Sequence, residues 1–413
     1  MIEYPELAAG EDWRECQDCG LFIRLAPRQP GLIAECPRCG CTLWRMRRVN
    51  INFPLACAIA GLLFFGFSII APLLEVEVYG RFALARIETG PLRLMSTGWG
   101  LIGILIFMVT LIIPGLKLGI ITTTLLGIET HFPRRPLKAL FRWYALLSPW
   151  AMIDVYLLGF LVAYTRLTGM FTVHIDTALY ALIGLMIAMA ATDASLDQEA
   201  IWRLLDDTKK SLCILEASAL GCRVCGLVNH APDNGICRRC ETPLYPRKPS
   251  SFTKTWAFTI AAACLYIPAN IYPFMDITNL AQTQPYTIIG GIIELVNVDL
   301  WPLALLVFFA SITIPLLKLI GLAYMLITTQ RRQASFLKTR TTAYRILDFI
   351  GRWSMIDVFM VSILVALVHF GQFANVTANV GAICFAAVVV LTIFAVNAFD
   401  PRLMWDHYKE PNA

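Results

Sequence analysis

Eight cysteines fall into two sets whose spacing suits a metal. The first is Cys16-x2-Cys19, sixteen residues, then Cys36-x2-Cys39; the second is Cys222-x2-Cys225, eleven residues, then Cys237-x2-Cys240. Paired C-x2-C knuckles at this separation bring four thiolates to the corners of a tetrahedron, the geometry Zn²⁺ prefers. Gly20, Pro37, Gly40 and Gly226 stand where tight knuckles need them. Two structural zinc ions are expected, each in a small ribbon. A disulfide framework is disfavoured because the orientation signals below put both sets in the reducing cytosol. Cys57, Cys264 and Cys384 lie in apolar runs and read as small buried residues. Cys41 and Cys213 take no role.

A second group of chemical residues lies within apolar stretches. A Lys or Asp at mid-bilayer costs roughly 2.5–3.5 kcal/mol on insertion scales, so one seldom stays without a partner or a task. Lys117 and Asp154 sit at matched depths, about 15 and 14 Å from the cytoplasmic ends of their expected spans at 1.5 Å per residue. An ion pair Lys117–Asp154 is expected, and the same arithmetic pairs Lys318 with Asp357. Ser311, Pro315 and Lys318 share a helix face at i, i+4 and i+7. Ser354 and Asp357 follow at i and i+3, with Thr392 at a similar depth on the last span. The set Ser311, Lys318, Ser354, Asp357 and Thr392 reads as a polar ladder able to relay protons or meet a polar headgroup. The bland alternative is a structural ion pair, with hydroxyls bonded to their own backbone. For Lys117–Asp154 the structural reading is favoured, since structural intramembrane pairs occur, and for the C-terminal set the functional one; in the first half Thr110 and Ala151 replace Ser311 and Ser354, and Met189 stands near the position of Thr392.

These residues need a membrane scaffold, and the composition supplies one. The chain of 413 residues is 57% hydrophobic and only 15% charged. Eight spanning helices are expected near 52–74, 101–127, 145–166, 177–194, 254–275, 302–328, 350–370 and 378–398, each near the length a bilayer requires. Residues 1–48 are polar and do not read as a signal peptide. Arg45, Arg47 and Arg48, then Arg134, Arg135, Lys138 and Arg142, then Arg247, Lys248 and Lys254, then Arg331, Arg332, Lys338, Arg340 and Arg345 mark one side as cytoplasmic. Both termini and both ribbons are expected on that side.

The halves repeat at an offset of about 200 residues. Ile113-Pro114-Gly115-Leu116-Lys117 matches Ile314-Pro315-Leu316-Leu317-Lys318, and Trp150-Ala151-Met152-Ile153-Asp154-Val155 matches Trp353-Ser354-Met355-Ile356-Asp357-Val358. Four spans per half give parallel repeats. Alternation over 75–79, a turn at Gly80 and continuation through 81–84 predict a short periplasmic β-hairpin; the counterpart at 276–290 is less clear. The expected fold is an all-α membrane protein of two tandem four-helix domains, each preceded by a ribbon. Its parts are ribbon 1 (1–48), membrane domain 1 (49–200), linker and ribbon 2 (201–249), membrane domain 2 (250–400) and a cytoplasmic tail (401–413).

Several functions are disfavoured. There is no GxxxxGK[ST] loop, no HExxH and no GxSxG, so nucleotide hydrolysis by that route and hydrolase chemistry are not expected. No enzyme activity is expected. The net charge of +5 lacks a concentrated basic tract with interleaved aromatics, so nucleic acid is not an expected partner.

Taken together, the Cys36-Pro37-Arg38-Cys39 knuckle, Ile267-Pro268-Ala269-Asn270, the stretch Gly351 to Asp357 and the tail Asp400-Pro401-Arg402-Leu403-Met404-Trp405-Asp406 resemble the paraquat-inducible protein A family of bacterial inner-membrane proteins. The resemblance covers nearly the whole chain. It implies a periplasmic MCE-domain tunnel protein as partner and lipid trafficking between inner and outer membranes. The energy source would be a proton gradient, a lipid gradient or none. The rival reading is a membrane-anchored zinc-ribbon sensor or assembly scaffold without transport.

Overall fold

A computed structural model describes residues 13–24, 33–45, 50–78, 81–168, 172–206, 219–229, 235–279, 282–297, 299–367 and 374–407. Arg47, Arg48, the Tyr79-Gly80 turn and Cys213 lie outside the described residues.

Ribbon 1 is two antiparallel pairs, β1 (Trp13–Glu15) with β2 (Phe22–Arg24) and β3 (Ile33–Glu35) with β4 (Thr42–Arg45). The first membrane half opens with α1 (Asn52–Ile70). It ends before the expected 74, because Leu74 already starts β5 (Leu74–Val78), which pairs with β6 (Arg81–Ala85). The short helix α2 (Thr89–Ser96) leads into α3 (Gly100–Phe107), a π-helical turn at Met108–Ile112, and α4 (Ile113–Glu129). Then come α5 (Arg134–Leu147), a 3-10 turn at Ser148–Trp150, α6 (Ile153–Thr168), β7 (Thr172–Ile175), α7 (Thr177–Ser195) and α8 (Gln198–Leu204). Asp197 caps α8, its carboxylate accepting from the Glu199 and Ala200 N–H groups at 3.1 Å each.

Ribbon 2 holds β8 (Leu220–Gly221) and β9 (Val228–Asn229). The second half repeats the first: α9 (Ser251–Ile271), β10 (Met275–Asn279), β11 (Gln282–Tyr286), α10 (Ile288–Asn297), α11 (Trp301–Phe308), a π-helical turn at Phe309–Thr313 and α12 (Ile314–Gln330). It closes with α13 (Leu337–Gly351), a 3-10 turn at Arg352–Met355, α14 (Ile356–Leu367), β12 (Ala374–Ala378), α15 (Val380–Ala398) and a 3-10 turn at Pro401–Met404.

The expected hairpin is present and gains a third strand, giving the order β6-β5-β7. The other half has the same sheet, β11-β10-β12. The third strands escape sequence reading because they are four and five residues long.

Seven helical segments among the described residues are long and apolar enough to cross a membrane. Eight were expected. The exception is α9, whose 21 residues include Thr253, Lys254, Thr255 and Asn270. It nevertheless packs along α15 as α1 packs along α7.

Two expected spans are broken helices. The stretch 145–166 divides at Ser148–Met152, and 350–370 divides at Arg352–Met355. Consequently Arg134, Arg135, Lys138 and Arg142 lie on α5, and Lys338, Arg340 and Arg345 on α13, rather than in loops. The π turns have a local cause. Pro114 cannot donate to the Thr110 carbonyl, nor Pro315 to that of Ser311. Both helices widen across those residues, as helices do where the i→i−4 ladder is interrupted.

The halves join through α6 and α14, the two helices whose first turns carry Asp154 and Asp357. A Cβ on Gly159 would come within 2.9 Å of Phe359 Cβ and 3.0 Å of the Ile356 carbonyl oxygen, so the backbones approach closely there. Tyr156 and Phe359 meet edge to face at 5.6 Å. The helix α2 also crosses to α14 at Gly90, where a Cβ would lie 2.5 Å from the Ser362 carbonyl oxygen. Residues 356–366 of α14 are buried throughout.

Candidate metal centres and intramembrane polar site

Each knuckle turns the same way. The N–H of Gly20, Gly40, Gly226 and Glu241 donates to the carbonyl of the knuckle's first cysteine at 2.8–2.9 Å. All four take positive φ, and at the last knuckle Glu241 does so at 59° where the others use glycine. The turns gather Cys16, Cys19, Cys36 and Cys39 into one group and Cys222, Cys225, Cys237 and Cys240 into another, with all Sγ atoms of a group within 4.8 Å of one another. Sγ separations are 3.5 Å for Cys16–Cys39 and Cys19–Cys36, 3.4 Å for Cys222–Cys240 and 3.5 Å for Cys225–Cys237. None of the eight is more than 3% exposed. These are two four-cysteine groups able to hold metal ions.

The ribbons dock crosswise. Ribbon 1 precedes the first half but sits on the end of the second, where its cysteines share an apolar cluster with Met325, Leu326, Leu337, Leu347, Phe399 and Trp405. Arg345 on α13 pairs with Asp18 at 2.6 Å and donates to the Cys39 carbonyl at 3.2 Å and Cys39 Sγ at 3.4 Å. Ribbon 2 sits on the end of the first half, its cysteines clustered with Leu196, Ile201, Trp202 and Leu205. There Arg142 on α5 donates to the Cys240 carbonyl at 3.5 Å. Arg142 and Arg345 hold equivalent repeat positions, so each half offers one arginine to the last cysteine of the other half's ribbon.

Buried charges join the two ribbons to each other and to the tail. Glu15 of ribbon 1 accepts from Arg402 and, at 2.8 Å, from the Gly221 N–H of ribbon 2. Arg14 pairs with Glu199, which also takes Arg203 at 2.9 Å and Arg239 at 3.5 Å. Asp400 accepts from Arg402, Arg223 and the Lys248 N–H. Burial pushes the Asp400 carboxyl up. Its bonds to Arg402 and the Lys248 N–H, with Arg223 nearby, outweigh that and hold it down to about 2.

Within the membrane halves the expected pairs are re-partnered. Lys117 Nζ bonds Asp193 Oδ2 at 2.6 Å, not Asp154, and Tyr144 Oη donates to Asp193 Oδ1 at 2.7 Å. Lys318 Nζ, with no exposure, donates to the Gly351 carbonyl at 3.1 Å and Thr392 Oγ1 at 3.2 Å, not to Asp357. The helix breaks explain the difference. They place Asp154 and Asp357 in the first turns of α6 and α14, where the positive end of the helix dipole favours a carboxylate. Ser311 Oγ bonds the Val307 carbonyl at 2.7 Å, as Thr110 Oγ1 bonds that of Ile106. Ser354 Oγ is buried without a hydrogen-bond partner among the described residues. The π turn carrying Ser311 packs on the 3-10 turn carrying Ser354. Ser311, Ser354 and the Lys318–Thr392 pair thus lie in one neighbourhood, and Asp357, three residues after Ser354, is buried. Sequence reasoning missed Asp193 and Tyr144. Asp193 was available as an ionisable residue inside an apolar span, near its end.

A family model described as paraquat-inducible protein A matches the chain twice, over residues 51–206 and 252–409. The chain belongs to the paraquat-inducible protein A family. The double match, offset by 201 residues, is the internal repeat, and both four-cysteine groups lie outside it. The chain is 30% identical to "Intermembrane transport protein PqiA" of Escherichia coli K12 over 96% of each chain. It is 29% identical to "Lipophilic envelope-spanning tunnel protein A" of the same strain, over 99% of this chain and 94% of that protein. It is 28% identical to a "Probable intermembrane transport protein" of Haemophilus influenzae, over 95% and 96%. No solved structure matches the chain. This member of the paraquat-inducible protein A family is a multi-pass bacterial membrane protein with two metal-competent four-cysteine groups.

Proposed function

We propose that this chain is the inner-membrane component of a system that moves lipid between inner and outer membranes, loading or extracting it at a periplasmic MCE-protein tunnel. The observation that carries this reading is near full-length similarity to proteins named for intermembrane transport and for an envelope-spanning tunnel. It acts without enzymatic chemistry of its own. The reading is tested by adding the purified chain and its tunnel partner to vesicles of labelled phospholipid. Exchange to acceptor vesicles should rise only when both are present. Exchange indifferent to the chain would remove the transport role.

Zinc is the metal the four-cysteine groups fit best. A tetrahedron with Zn–S bonds of about 2.3 Å has S–S edges of about 3.8 Å, and the observed 3.4–3.5 Å separations approach that. The N–H donors of Arg345 to Cys39 Sγ and of Asn229 to Cys237 Sγ suit a cluster of four thiolates carrying excess negative charge. Burial of all eight thiols argues against a thiol sensor, which needs accessible cysteines.

The basic residues of α5 and α13, at the ribbon end, support a cytoplasmic placement of that end. The three-stranded sheets then face the periplasm, and α9 crosses as the eighth span and completes two tandem four-helix domains. A cysteine placed at His174 should label from outside intact cells above the background of the unsubstituted chain. One at Ser335 should label only after permeabilisation. The reverse pattern would overturn this orientation.

A further inference from the structure

A cavity of about 390 Å³ lies where the two halves meet near the ribbon end, a size and place usual for a ligand site. One wall comes from the first half through Lys117, Trp150, Asp154 and Asp193; the other from the second half through Asp348 and Arg352. Lys117 and Asp193 neutralise each other at 2.6 Å. Of the remaining three charges, Asp348 lies in the field of Arg352, Lys248 and Lys318, and Asp154 faces the cavity with no such neighbour among the described residues. Among the described residues Asp154, Asp348 and Arg352 make no hydrogen bond or ion pair, and Arg352 only approaches the Phe349 ring at 5.7 Å. Two carboxylates and one guanidinium therefore line a cavity whose remaining wall includes Met186, Met189, Ile393 and Val396.

We propose that this cavity binds the headgroup of a zwitterionic phospholipid bearing a primary ammonium. The ammonium goes to Asp154 and Asp348, and the phosphate to Arg352. Charge complementarity selects the class. An anionic headgroup can place its phosphate on Arg352 but brings no cation for Asp154, and is disfavoured. A quaternary ammonium brings no N–H for the carboxylates to accept, and the cavity offers Trp150 in place of a full aromatic cage. A guanidinium matches phosphate geometry. The apolar lining suits the glycerol and first acyl carbons. The inference rests on the lipid-transport reading for the presence of acyl chains, and on the cavity alone for the headgroup.

The test is equilibrium binding by native mass spectrometry of the full chain, from nanodiscs of equal phosphatidylethanolamine, phosphatidylglycerol and phosphatidylcholine. The chain should retain phosphatidylethanolamine preferentially. Asp154→Asn with Asp348→Asn should reduce that preference roughly tenfold. Arg352→Gln should weaken retention of all three lipids alike and leave their ratio near that of the unsubstituted chain. Metal content and elution volume of each variant check that it is folded. An unchanged lipid ratio in the doubly substituted chain would overturn the proposal. Glycerophosphoethanolamine binding as tightly as the intact lipid would make the site one for a soluble metabolite and overturn the lipid assignment. Binding is read without a tunnel partner or an energy source. Headgroup selection without lipid exchange would therefore remove the transport reading alone, and exchange without selection would remove this inference alone.

Discussion

Cys39→Ser should empty the first metal site and cost the ribbon its fold. Structural zinc contributes apparent binding energies of about 10–16 kcal/mol in small zinc-finger peptides, where binding and folding are one event. Within its described residues ribbon 1 has little internal structure besides the metal site. Its strands are three or four residues long and pair only as two-stranded ribbons, which are marginal in water. The loss should not stop there. Arg345 would lose its thiolate contact and Asp18, and Arg402, 1% exposed, would lose Glu15. Arg402 would keep Asp400, so its loss should be smaller than the roughly 3–5 kcal/mol of a buried charge left with no partner. Elemental analysis should fall from two zinc ions per chain to one, and residues 13–45 should become protease-sensitive while the membrane helices still insert. The equivalent Cys240→Ser should spare ribbon 1's metal. A wild-type chain that is stable and free of metal would refute the assignment.

Lys318→Met should abolish function while leaving abundance within about twofold of wild type. Lys318 is fully buried and among the described residues hydrogen-bonds only the Gly351 carbonyl and the Thr392 hydroxyl, with Asp348 acting through space, so its charge is costly to keep. Methionine has similar reach and needs no counter-ion. The Gly351 carbonyl loses one donor, at about 1–3 kcal/mol, which the removed desolvation cost offsets. A purely structural lysine would be replaced without harm, and one used in transport would not. Lys117→Met should cost less than Lys318→Met, because Asp193 keeps its Tyr144 bond and its side chain is 42% exposed; what it changes is the charge balance of the cavity that Lys117 lines. The readout is repair of an envelope-barrier defect, with protein abundance followed in parallel. Repair by Lys318→Met would eliminate the relay and headgroup roles for that lysine. Since Lys318 and Asp357 are not directly bonded, the single substitution is more decisive than an apolar replacement of both.

Much of this architecture can be read from local pattern. Cysteine spacing marks both metal groups because a knuckle is four residues long, and its geometry is local. The repeat is visible because Pro114 and Pro315, and Asp154 and Asp357, hold equivalent places in like surroundings. Depth arithmetic failed for the ion pairs because it assumed continuous helices through Pro149 and Trp353. Each break resets the rise per residue and turns the aspartates toward a helix dipole. Lys117 consequently reaches across to α7 rather than to α6. The crosswise docking has no local signature at all. Glu15 and Arg402 are 387 residues apart, and only the assembled fold brings them within hydrogen-bonding distance.

That crossing has a consequence for how the chain is made. Ribbon 1 leaves the ribosome early, yet its seat is built from α12, α13 and the tail, which come last. At roughly 5–20 residues per second, the interval is on the order of 20–70 s. During it the metal can fold the ribbon, but the apolar face meant for Phe399 and Trp405 has nothing to cover it. Completion of the tail then closes both ends of the chain together, so a truncated product is marked by a ribbon left without a seat.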